Sequence, residues 1–142
     1  MTADSVSFPV LRFALVAGGL LALLAVMAGA FGAHGLRAEV SPRALEVFQT
    51  GVTYQMYHSL ALVLVALLAA AGLSRRLLTA AAGFFLAGIV LFSGSLYLLV
   101  LTDVRWAGPI TPVGGVCFMV GWALMVTAGL KAGTPVNSPG NN

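Results

Sequence analysis

The stretch TGVTYQMYHSLALVLVALLAAAG, from Thr50 to Gly72, decides how this chain folds. It belongs to an uncharged block over residues 47–74, longer than the ~20 residues a helix needs to cross a ~30 Å hydrocarbon core. Yet its start carries Tyr54, Gln55, Tyr57 and His58. A histidine placed more than one turn inside a lipid-bound helix needs a partner, because an unsatisfied polar group in hydrocarbon is costly. That need makes the start of this helix the first place to look for function.

Working outward, three more uncharged blocks cover residues 13–36, 77–102 and 106–130, and the seven basic and four acidic residues fall outside all four. Charged residues make up 8% of the chain and mean hydropathy is +1.02, whereas a soluble domain carries about a quarter charged residues. Open strands cannot span lipid, since their backbone groups would go unpaired. The expected fold is an all-α membrane protein, an antiparallel bundle of four transmembrane helices over about 13–34, 50–73, 77–101 and 110–130. Residues 1–12 read as a cytoplasmic lead-in and 132–142 as a disordered Pro-, Asn- and Gly-rich tail. The sequence MAGA at 27–30 resembles a signal-peptide cleavage site, but its apolar run exceeds the usual 7–15-residue signal core. An uncleaved first helix is expected.

The net charge of +3 does not imply nucleic acid, because the basic residues are scattered over the loops and form no phosphate-binding patch. Cys117, the single cysteine, lies within the fourth span and reads as a small buried apolar residue. In the first span Ala14, Gly18, Ala22, Ala25, Gly29 and Ala33 fall in one arc about 100° wide. Small residues let helix backbones approach closely in lipid, so Gly18, Ala22, Ala25 and Gly29 are the expected packing face. Ser41-Pro42 reads as a helix N-cap and first helical position, with Arg43 and Glu46 spaced to pair.

Arg12, Arg75, Arg76 and Lys131 lie at one set of span ends; Arg37, Arg43 and Arg105 lie at the other, offset by Glu39, Glu46 and Asp103. The double arginine in a three-residue loop places both termini in the cytoplasm. Tyr54, Tyr57 and His58 then share an outer-half arc of the second helix with Thr50 and Gly51, and Gln55 stands at its edge. Ser93 and Tyr97 share a face of the third helix while Ser95 points the other way, and Thr111 begins the fourth. His58 is expected about 10 Å deep, bonded to a tyrosine or serine of another helix. His34, Glu46, Asp103 and Arg105 are expected at the membrane interface.

Tyr54, Gln55, Tyr57, His58, Ser93, Tyr97 and Thr111 form the candidate cluster. It can be read as interhelical glue, as a site for a small polar ligand, lipid head group or quinone, or as a proton relay. The spans carry no Asp, Glu, Lys or Arg to support a relay. No H-x-x-H or C-x-x-C spacing points to metal, and no nucleophile–base pair or phosphate loop is readable. No catalytic residue, metal or cofactor is assigned.

GAFGAHGL at 29–36, FQTGVTYQMYHSLAL at 48–62, FSGSLYLL at 92–99 and GPITPVGG at 108–115 resemble, in order and spacing, the domain of unknown function 423 family. The resemblance runs from about Gly29 to Trp122. It implies a small four-helix protein of the bacterial inner membrane, with a mitochondrial relative in animals, and it implies no activity. The expected role is a non-enzymatic structural or accessory membrane subunit, surrounded by lipid and held by a membrane-protein partner or by copies of itself. A small transporter or small-ligand binder using the outer cluster is the alternative.

Overall fold

The computed structural model describes residues 7–133; the expected tail beyond Gly133 and the first six residues of the lead-in lie outside them. Helix α1 (Ser7–Phe31) starts ahead of the expected Phe13 and runs into a π-helical turn, Gly32–Leu36. Helix α2 (Pro42–Ala70) begins at the interface and enters the bundle without a break. Span three is α3 (Arg75–Gly88), a π-helical turn (Ile89–Ser93) and α4 (Gly94–Thr102). A 3-10 turn (Arg105–Ile110) then leads into α5 (Thr111–Ala132). The four long apolar helices cover Val10–Leu36, Pro42–Ala70, Arg75–Thr102 and Arg105–Ala132. The described residues contain no strand, and the fold is an all-α membrane bundle.

The ends of these elements follow from local chemistry. Ser41 adopts an extended backbone and its Oγ accepts from the Ala44 amide at 3.2 Å, while Pro42 fills the first turn where its missing N–H is not needed. Arg43 and Glu46 pair at 3.1 Å on the exposed face of that turn. After Ala70 the chain reverses through Gly72 at φ 90°, which only glycine adopts without strain. Span three ends at Asp103, whose φ of 53° is tolerated by its short polar side chain.

Helix α2 is the centre of the bundle, touching α1 along its length and α3, the Ile89–Ser93 turn and α4 on its other sides. Helix α1 meets it through the small-residue face. A Cβ at Gly18 would lie 2.7 Å from the Ser59 carbonyl oxygen, so only glycine permits this approach. Ala14 and Ala25 are buried on the same face. Ala33 is exposed, and the π turn presents Gly32 and Leu36 to α2 instead. On the far side α5 lies against α3 and the π turn; a Cβ at Gly121 would meet the Phe85 ring at 2.5 Å, and one at Gly114 would collide with the Phe92 backbone. Between these contacts Leu62, Val65, Leu78, Ala81 and Phe85 form the core. In lipid, association rests on such close packing and on interhelical hydrogen bonds.

Candidate functional site

The inward face of α2 consists of Gly51, Gln55, His58, Ser59 and Leu62, all buried. The arc expected from the sequence is therefore rotated. Thr50 is exposed and donates to the Glu46 carbonyl of its own helix at 2.9 Å. Gln55, expected at the edge, is the hub: its Nε2 donates to the Leu21 carbonyl of α1 at 2.8 Å, and its Oε1 accepts from the Tyr97 hydroxyl of α4 at 2.8 Å. One side chain thus joins spans one, two and three.

Ser93 and Tyr97 do share a face, as their spacing requires. The Ser93 hydroxyl donates to the Gly51 carbonyl at 2.7 Å, where the absence of a side chain lets Tyr97 press against α2. Ser95 points the other way and meets Thr111 of α5, oxygen to oxygen at 2.7 Å, while also donating to the Phe92 carbonyl. Thr111 therefore serves a different junction from the one centred on Gln55.

His58 does not bond to tyrosine or serine side chains. Its Nδ1 lies 2.7 Å from the Tyr54 carbonyl one turn earlier, and a carbonyl only accepts, so Nδ1 carries the proton. The lone pair of Nε2 then accepts the Trp122 indole N–H at 3.2 Å. The imidazole lies face to face with Phe118, centroids 3.4 Å apart at 7° between planes, and Phe85 stands 5.6 Å away. Both ring nitrogens are engaged, so this geometry leaves no lone pair for a metal. Among the described residues no group of three His, Cys, Asp or Glu could hold one.

Phe118 is midway in sequence between Arg105 and Lys131, thirteen residues from each. At ~1.5 Å per residue His58 is therefore near the middle of the bilayer, deeper than its distance from Gly51 suggests. The sequence reading missed Trp122 as its partner. A tryptophan at mid-span, away from the interfacial belts where that residue usually sits, is the signal that could have found it. Its N–H needs an acceptor there, and a neutral histidine supplies one.

Tyr54 and Tyr57 are 39% and 58% exposed, so they leave the interior and form the wall of a surface groove. His34, Glu46, Asp103 and Arg105 are all exposed, Glu46 in the pair with Arg43. No buried side-chain nitrogen or oxygen among the described residues lacks a partner. Gln55, Ser93, Ser95 and His58 together connect all four spans.

A four-span helical membrane protein with its interior polar groups paired across helices is the class that fold and site define. The family described as "Protein of unknown function (DUF423)" matches residues 28–115. The UPF0382 membrane protein YwdK of Bacillus subtilis (strain 168) is 48% identical over 117 residues, 82% of this chain and 95% of its own length. A UPF0382 membrane protein of Staphylococcus aureus (strain bovine RF122 / ET3-1) is 43% identical over 121 residues, 85% of this chain and 98% of its own. The chain belongs to this family of membrane proteins found in bacteria. No solved structure matches it.

Proposed function

We propose that the chain is a non-enzymatic accessory subunit of the bacterial inner membrane, acting within a larger membrane assembly or as a homo-oligomer. One observation carries the reading: the hydrogen-bonding capacity of the buried cluster is used to fasten the four spans to one another. A transport site needs polar groups that face a pathway, and Ser93, Tyr97 and Gln55 are directed at neighbouring helices instead. The partner surface is in lipid. Span one is the least buried of the four and exposes Leu15, Leu20, Leu23 and Met27 along its outer side. The orientation has both termini in the cytoplasm, on the side of Arg75, Arg76 and Lys131.

Affinity capture of the tagged chain from its own membrane in mild detergent, followed by mass measurement of the native complex, tests this reading. A stoichiometric membrane-protein partner or a defined multimer is expected. A monomer that retains no partner across several mild detergents contradicts it.

A further inference from the structure

A groove of about 550 Å³ runs between α2, the π turn of span three and α5, open along its side. Sites for small molecules commonly measure ~300–1,000 Å³ and combine apolar walls with a few polar groups. Here most of the wall is aromatic, from Tyr54, Tyr57, His58, Phe92, Phe118 and Trp122, and no charged side chain lines the groove. Tyr54 and Phe92 stand with centroids 4.6 Å apart, and His58 is stacked on Phe118 behind them. The π turn holds Phe92 in this wall, and Gly114 lets α5 lie directly on the Phe92 backbone. Single π turns inside α-helices often mark functional positions.

The level of the groove is set by Phe118, midway between Arg105 and Lys131. A ligand reaching it sideways comes through hydrocarbon, where an ion would lose its hydration at great cost. Among the described residues nothing bonds the hydroxyls of Tyr54 and Tyr57, whereas the Trp122 N–H is taken by His58. The groove thus offers flat apolar walls, phenolic donors and no cation. This combination suits an uncharged planar ring bearing acceptor oxygens and rejects an anionic head group.

We propose that the groove binds a planar, uncharged, carbonyl-bearing lipophile of the quinone class, its ring laid against Tyr54 and Phe92. A carbonyl oxygen of the ligand accepts from the Tyr54 or Tyr57 hydroxyl. Binding is a property of the chain itself and stands whether or not a protein partner is found.

Gly115 gives a way to test the groove apart from the fold. A Cβ there meets only Phe92 Cδ2, at 3.9 Å, so a leucine side chain extends into the groove without striking backbone. The full chain carrying Trp106→Phe, which leaves Trp122 as its one tryptophan, is reconstituted into phosphatidylcholine vesicles and titrated with decylubiquinone. Saturable quenching of Trp122 fluorescence is expected. Gly115→Leu should remove the saturable component without lowering the melting temperature, and Tyr54→Phe with Tyr57→Phe should weaken binding about 3- to 10-fold. If Gly115→Leu destabilises the chain, the tyrosine pair decides the outcome. Quenching that rises linearly and equally in every variant is partitioning alone and overturns the proposal. Equal competition by oleyl alcohol, which has a chain but no carbonyl ring, makes the groove an acyl-chain site and overturns it too.

Discussion

His58 holds the indole of Trp122 with the one lone pair its imidazole has left, so the two residues should be energetically coupled. His58→Phe keeps most of the bulk but deprives Trp122 of its acceptor. Trp122→Phe deprives Nε2 of its donor. Interhelical bonds within membranes average ~0.6 kcal/mol and reach ~1.7, so each single variant should lose on the order of 1 kcal/mol in detergent unfolding. The double variant should lose clearly less than the two added together; strict additivity would show that the bond is not there. Ser59, one residue on, is fully buried, with its hydroxyl on the Gln55 carbonyl at 2.6 Å. Ser59→Ala fits the same space and loses only this bond within its own helix. Its melting temperature should stay close to wild type, while Ser59→Leu, forced against the tight α1 contact at Gly18, should melt well below. The need of His58 for a partner was legible from its depth in an apolar run. Which residue would meet it was not, because the register between spans two and four is set by packing around Phe85, Phe118 and Gly121.

Among the elements, α1 and α2 were largely legible. The small-residue stripe through Gly18 and Ala25 does face α2, and Ser41-Pro42 does cap a helix, although that helix is α2 itself, running from Pro42 and not from about residue 50. Span three was less so. Its length and polarity are plain in the sequence, but the π turn at Ile89–Ser93 is not, since no proline or charge marks it. There the Gly94 amide reaches back to the Ile89 carbonyl, which inserts an extra residue and resets the face that follows. The inward face of α2 was misplaced for a related reason. Helical spacing groups residues by angle, but it does not say which group faces the neighbours, and two tyrosines with hydroxyls look as suited to an interior as one glutamine. Adjacent glycines of α5 make the resulting contact testable. A Cβ at Gly114 would run into the Phe92 backbone, whereas one at Gly115 makes ordinary contact with the Phe92 ring. Gly114→Ala should therefore lower the melting temperature strongly and Gly115→Ala hardly at all. Equal melting of the two would mean that α5 does not lie on the π turn in this way.

For the molecule as a whole, the count of four spans was set by the four uncharged blocks, and the direction proposed for the bundle rests on its basic residues. In a Cys117→Ala background, cysteines at Ala38 and Trp106 should react with a membrane-impermeant reagent added from outside, and one at Ser74 should not. Trp106 is the suitable probe in its loop, being 67% exposed, while neighbouring Ala107 is fully buried. The reverse labelling pattern would invert the orientation. Connectivity between spans is the larger claim, and it converges on Gln55, which bonds α1 through Leu21 and α4 through Tyr97. Replacing it leaves the half-buried Tyr97 hydroxyl without its acceptor and removes the bond to the Leu21 carbonyl of α1, a loss typically worth ~1–3 kcal/mol. Thermal unfolding of Gln55→Leu, compared with wild type and with Tyr57→Phe, tests most directly whether the polar cluster fastens the bundle. Gln55→Leu should melt distinctly below wild type, and Tyr57→Phe, whose hydroxyl holds no helix, should melt with it. A Gln55→Leu chain that melts with wild type would contradict it.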